Sequence, residues 1–156
     1  MQGEKHIAPA YQLVVFTMNE QRYVLQLAAV ERVVRMVEVT PLPKAPQIVL
    51  GVINAQGRII PVVDIRRRFR LPERDIRLSD HLLIARTARR TVALALDAVT
   101  GIVERSAQAV ITAEEILPGL EYVEGVMKLG DGLILIHDLD TLLSLEEEQT
   151  LDAALQ

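Results

Sequence analysis

The chain matches itself, and a repeat of this kind constrains architecture before any single element is assigned. Sliding Leu13 to Val34 forward by 69 positions lays Leu13 on Leu82, Leu25 on Leu94, Leu27 on Leu96, Ala29 on Ala98 and Val30 on Val99, without a gap. A second window, Gly51 to Leu71, slides by 74 positions and lays Gly51 on Gly125, Val52 on Val126, Ile60 on Ile134, Asp64 on Asp138 and Leu71 on Leu145. Aliphatic coincidences are cheap in a chain whose 22 Leu, 18 Val and 13 Ile make up about a third of its 156 residues. Coincident Gly and Asp in the same chain order are not, so the sequence reads as a duplication. We expect a flexible segment over 1–10 and then one domain over 11–156. Its similar halves span roughly 11–71 and 80–145, and a helix over 145–155 closes it. A chain of this length buries roughly 70% of its extended surface and needs no disulfide or metal to hold it.

Within each half the period is that of strands. Leu13 to Phe16 and Tyr23 to Leu27 flank the polar turn Asn19-Glu20-Gln21, and Leu82 to Ala85 and Val92 to Leu96 flank Arg89-Arg90, which reads as two hairpins. Pro41, Pro43 and Pro46 end the stretch Val33 to Val39, because proline lacks the N–H that a ladder requires. Two more strand pairs follow, one around Asn54-Ala55-Gln56-Gly57 and one around Gly130-Asp131-Gly132, where glycine supplies the positive φ of a tight turn. Five short strands per half predict two small barrels. Asp64 and Asp138 each follow an apolar strand, so each should accept from free N–H groups at a helix start. Ser144 and Glu147 have capping-box spacing ahead of Leu151, Ala154 and Leu155, which predicts an amphipathic C-terminal helix.

Chemistry is thin along this chain. Zero Cys excludes disulfides, thiolate catalysis and cysteine-ligated metals, and it suits a reducing cytoplasm. No uncharged run approaches the ~18 residues that a bilayer-spanning helix needs. His6, His81 and His137 lack metal-ligand spacing, and His137 and Asp138, as strand neighbours, point to opposite faces and make a poor dyad. The net charge of −4 argues against a general nucleic-acid binder. Arginine outnumbers lysine 14 to 3, and Arg66, Arg67, Arg68, Arg70, Arg74, Arg77, Arg86, Arg89 and Arg90 form a central cluster. A barrel holding single strands against that cluster would need a stacking platform, and five aromatics, mostly serving a core, do not provide one. The run 66–70 reads more simply as a solvated helix face with Ile65 and Phe69 pointing inward.

The segment from Gly51 to Arg66, Gly-Val-Ile-Asn-Ala-Gln-Gly-Arg-Ile-Ile-Pro-Val-Val-Asp-Ile-Arg, resembles the signature of the CheW family, the adaptors of bacterial chemotaxis arrays. That signature runs Gly-Val-x-Asn-Leu-Arg-Gly-x-x-x-Pro-Val-x-Asp-Leu-Arg, and the resemblance extends over residues 11 to 145. It implies a mainly β fold of two pseudo-symmetric SH3-like five-stranded barrels with short helices, the duplication that spacing also predicts. It further implies no enzymatic activity and no cofactor, and the histidine spacing above predicts no metal. The implied partners are a CheA-type histidine kinase, bound through its barrel-like regulatory domain, and the coiled-coil tip of a chemoreceptor. Contacts between copies of the chain through exposed barrel edges would place it in an array at the membrane without inserting into it.

Carried over residue by residue, the kinase-facing surface is Val30, Glu31, Arg32 and Val33 with Ile53, Asn54, Ala55, Gln56 and Gly57. The receptor-facing candidates are Ala98, Val99, Thr100 and Gly101; Val99 could equally fill the core as Val30 would, and Gly101 could simply turn the chain. This sequence departs from the pattern where Ala55-Gln56 replaces Leu-Arg and Arg32 replaces an acidic residue. Losing such an arginine removes a five-donor anchor worth ~2 kcal/mol, so Arg32 and Gln56 read as a swap matched by the partner. An adaptor of a related pathway, controlling pilus motility or cyclic-nucleotide output, fits these departures as well.

Overall fold

A strand that faces water on one side alternates, but Leu82 to Ala85 and Leu13 to Phe16 are apolar at every position and need cover on both faces. The computed structural model, which describes residues 10–112, 115, 122–130 and 132–156, shows how they obtain it. In chain order the elements are β1 (Ala10–Met18), β2 (Gln21–Gln26), β3 (Val30–Arg35), β4 (Val49–Ala55), β5 (Arg58–Val63), α1 (Ile65–Arg68), β6 (His81–Arg86), β7 (Thr91–Leu96), β8 (Ala98–Ser106), β9 (Val110–Thr112), β10 (Val123–Leu129), β11 (Gly132–His137) and α2 (Leu145–Ala154). Most of segment 1–10 and the turn residue Asp131 lie outside the described residues.

Two sheets form, ordered β8-β1-β2-β11-β10-β9 and β3-β6-β7-β5-β4. They do not follow the sequence halves. Hairpin β1–β2 joins the strands of the second half, and hairpin β6–β7 joins those of the first, so the halves 11–71 and 80–145 are corrected to two interleaved bodies. Short parallel contacts secure the exchange, Val24 beside Ile136 in one sheet and Val62 beside Ala93 in the other. One chain segment also serves both edges of each sheet. β8 passes through a 3₁₀ turn, Ala107–Ala109, into β9 at the far edge, and the chain beyond β3 reaches Thr40, which bridges to Val52 of β4. Each sheet thereby curls into a small barrel.

Three apolar cores result. Leu13, Val15, Val24, Met127, Ile134 and Ile136 fill the barrel built on β1–β2, and Met36, Ile53, Ile60, Val62, Leu82, Ile84 and Ala93 fill the other. The outer faces of the same hairpins, through Val14, Phe16, Tyr23, Leu83, Ala85, Val92 and Leu94, meet in a shared core capped by Leu139, Leu142, Leu143 and Leu151. Hairpins buried on both faces explain the unbroken apolar runs.

The repeated polar residues acquire physical causes. A Cβ on Gly51 would lie 2.2 Å from the Thr40 carbonyl oxygen, and one on Gly125 would lie 3.0 Å from that of Ile111, because a neighbouring strand crosses closely there. Asp64 caps α1 by accepting from the Arg66 N–H at 3.0 Å, and Asp138 accepts from Asp140 N–H at the same distance. Ser144 and Glu147 complete their capping box. The helix they start departs from the amphipathic expectation: Leu151 is buried, but Leu155 is exposed and the buried neighbour is Glu148. Ion pairs from Arg90 to Glu148 and Asp152, and from Arg68 to Glu147, hold α2 as much as apolar contact does.

Candidate protein-binding surfaces

The arginine cluster behaves unlike either expectation for it. Arg66 is buried and pairs with Asp97; Arg74 grips Asp80 through both terminal nitrogens, at 2.7 and 2.9 Å, and also reaches Asp97. Arg68 donates to the Tyr122 hydroxyl at 3.2 Å, and Arg90 meets Glu148 at 2.7 Å. The run 66–70 is therefore only partly a solvated face: Arg67 and Arg70 are exposed, while Arg66 and Arg68 are drawn inward. Its ion pairs stitch α1, the segment 72–80, the β7–β8 junction and α2 together, which takes Arg66, Arg68 and Arg74 out of any open basic face. Phe69 is likewise committed: it stacks on Tyr23 at 5.5 Å and packs at a tilt against His137 at 4.6 Å.

His137 is packed in that stack with its Nδ1 3.2 Å from the Tyr122 carbonyl, and burial pushes its ring down to about 4. Asp138 turns away to its capping role, so the two form no dyad. Among the described residues no cluster of three His, Cys, Asp or Glu could hold a metal ion. A cleft of about 290 Å³ between the barrels is bordered by Gln26, Arg86, Glu124, Asp138 and Asp140. Burial raises the Glu124 carboxyl there, with Asp138 and Asp140 adding to the shift against the opposing hydrogen bond from Gln26.

The residues assigned to the kinase-facing surface come from strands at opposite edges of one sheet, yet closure of the barrel brings them together. A bulge between Val30 and Arg32 sets Glu31 out of register, and its carboxylate accepts from Arg58 at 2.8 Å, tying β3 to the β4–β5 hairpin. In that hairpin Gln56 and Gly57 both take left-handed φ, 54° and 83°, the geometry of a two-residue turn. Asn54 braces it by accepting from the Gly57 N–H at 2.9 Å. Holding a glutamine in this region costs on the order of 1 kcal/mol. Glu31, Val33, Asn54, Gln56 and Gly57 are exposed, while Val30, Arg32 and Ala55 are half-buried.

Ile53 is corrected from surface to core. It is 2% exposed and pairs in register with Ile60, both pointing into the barrel, because strand neighbours alternate and Asn54 takes the outward position. Two residues of this surface were missed, Arg58 and Ile59. Ile59 is 59% exposed and stands opposite Asn54, so period-two alternation across the hairpin was the available signal.

The receptor-facing candidates open β8. Ala98 and Val99 are half-buried, Val99 against the shared core as its repeat mate Val30 is. Thr100 occupies a bulge and donates its hydroxyl to the Val15 carbonyl at 3.2 Å. Gly101 lies inside the strand, paired with Val15, rather than in a turn, and a side chain there would meet open space.

Two interleaved small barrels, a core shared between them and a braced exposed hairpin define a mainly β protein of the double-barrel class. The model of the CheW-like domain matches residues 12–147, and the chain belongs to that family. It is similar to the chemotaxis protein CheW of Treponema pallidum, 28% identical over 147 residues that cover 90% of this chain and 86% of that one. The chemotaxis protein CheW of Rhizobium meliloti is also 28% identical, over 140 residues covering 88% and 90%. The crystal structure of the scaffolding protein TtCheW from Thermoanaerobacter tengcongensis superposes with a TM-score of 0.79 at 28% identity, covering 89% of this chain and 96% of that one.

Proposed function

We propose that this protein is a non-enzymatic adaptor that couples a chemoreceptor to a CheA-type histidine kinase in the cytoplasm. The observation that carries the reading is the surface built by β3 and the β4–β5 hairpin, cross-tied by Glu31 and Arg58 and exposing Val33, Asn54, Gln56 and Ile59. Rigid strands that present apolar residues beside fixed polar groups suit pairing with a second barrel. The start of β8, Ala98 to Gly101, is the proposed receptor contact, and through it the protein would be recruited to a membrane array. The ion pairs of Arg66, Arg68, Arg74 and Arg90 and the packing of Phe69 leave less for nucleic acid than the sequence cluster suggests. The half-buried Ala55 and the unusual Arg32 also support a second reading, in which the kinase belongs to a pathway of pilus motility or cyclic-nucleotide output. Calorimetric titration with the regulatory domain of the CheA-type kinase of the same organism tests the proposal. Binding near the micromolar range supports it; a folded protein that gives no heat and does not compete refutes it.

A further inference from the structure

Six of the fourteen arginines, Arg58, Arg66, Arg67, Arg68, Arg74 and Arg90, are ion-paired within the chain, whereas two on the rim of the barrel that carries β3 are not. Arg32 stands in register with Ile84 of β6, and Arg86, two residues further along β6, lies on the same face as Ile84. Neither has a carboxylate within ion-pair distance among the described residues. Glu31 is already bonded to Arg58, and the more distant charges of Arg32 and Arg86 add to that bond in holding its carboxyl below the usual range. Val33, the next residue along β3 and on its other face, is 38% exposed, and Ile59 of the β4–β5 hairpin is 59% exposed.

We infer that this rim reads an acidic patch on the partner, with Arg32 as the residue that discriminates between partners. The inference rests on the adaptor reading and names the chemistry of its kinase-facing surface. An exposed apolar pair supplies contact area that most barrels could match. Uncompensated guanidiniums around it admit only a partner whose carboxylates face them, and they repel one that presents lysine or arginine. Like charges held side by side are unfavourable in the free protein, and a partner carboxylate relieves that repulsion while accepting a charge-assisted, two-pronged bond. Arg58 is already engaged by Glu31. Arg86 also borders the cleft that Glu124, Asp138 and Asp140 line. Arg32 has neither engagement, which makes it the informative position.

The test titrates the full chain, Arg32→Glu, Arg32→Ala and Val33→Asp against the kinase regulatory domain at about 0.05 M and about 0.3 M salt, with a thermal melt to show that each variant is folded. The expected result is a roughly tenfold or greater loss for Arg32→Glu, a smaller one for Arg32→Ala, and a flatter salt dependence in both. If Arg32→Glu binds within about twofold of the wild type while Val33→Asp abolishes binding, the surface is used but its charge is not read, and the inference is overturned. If the wild-type chain itself fails to bind, the adaptor reading falls, and the inference falls with it.

Discussion

Replacing Asp97 with alanine tests whether the arginine cluster is internal mortar. One Asp97 oxygen accepts from both Arg66 and Arg74, and the other accepts from the Asn19 N–H at 2.9 Å, so a single carboxylate joins the β1–β2 turn, α1 and the segment 72–80. Its removal leaves Arg66, whose side chain is only 9% exposed, with a buried and unmatched charge. Breaking a fully buried pair by deleting one partner costs about 3–5 kcal/mol. Asp97 and Arg74 retain 29% and 22% of their side-chain surface, so solvent offsets part of that, and we expect a loss of about 2–3 kcal/mol. For a chain of this size the melting temperature should fall by roughly 4–12 °C.

Scanning calorimetry at pH 7 measures the effect, and Asp97→Asn, which keeps one acceptor, should lose less. Burial works to raise the Asp97 carboxyl, but the Asn19 N–H and the two guanidiniums outweigh it and hold the group below its usual range. A lowered folded-state value contributes stability above the unfolded value of about 3.9 and loses it as pH falls through the folded one. The gap between wild type and variant should therefore be full at neutral pH and close below about pH 4. A shift under about 2 °C at pH 7, or a gap that persists in acid, would refute the argument.

Ile53→Ala should destabilise the fold by about 2–4 kcal/mol in denaturant titration, because it empties a barrel core, whereas Asn54→Ala should act on the hairpin and on partner affinity with far less effect on stability. Equal stability losses would show that the two residues do not divide between core and surface. The His137 ring, lowered to about 4 by burial, sets a sign for acid stability. Above pH 6.5 the ring is neutral in both states. Between about 6.5 and 4 only the unfolded state gains the proton, so stability falls by roughly 3 kcal/mol and this contribution then levels off. His137→Phe should flatten that slope in melts recorded across the range, and an unchanged slope would count against a buried neutral ring.

Much of the local structure was legible. Hairpins around Asn19-Glu20 and Asn54 to Gly57, the caps at Asp64 and Asp138, and the capping box at Ser144 follow from residue type and short-range geometry, which the chain carries wherever it goes. The repeat announced duplication, and the Gly51 to Arg66 motif pointed to the family. Placement was not legible to the same degree. Hairpins apolar on both faces satisfy either sheet, so nothing in Leu13 to Leu27 says that it will pair with β8 and β11 rather than with its own half. That choice rests on contacts such as Val24 with Ile136, between residues more than a hundred positions apart.

The same limit governs charge and the candidate surface. A run such as Arg66 to Arg70 looks solvated throughout in sequence, because the carboxylates that draw Arg66 and Arg68 inward, Asp97 and Glu147, arrive from elsewhere in the chain. Ile53 and Ile59 are the same residue type six positions apart in one motif, yet only their side of the barrel makes one core and the other surface. Composition and spacing determined what the pieces are, since those depend on neighbours along the chain. Tertiary structure alone decided which faces meet and which arginines stay free, because burial and pairing depend on neighbours in space.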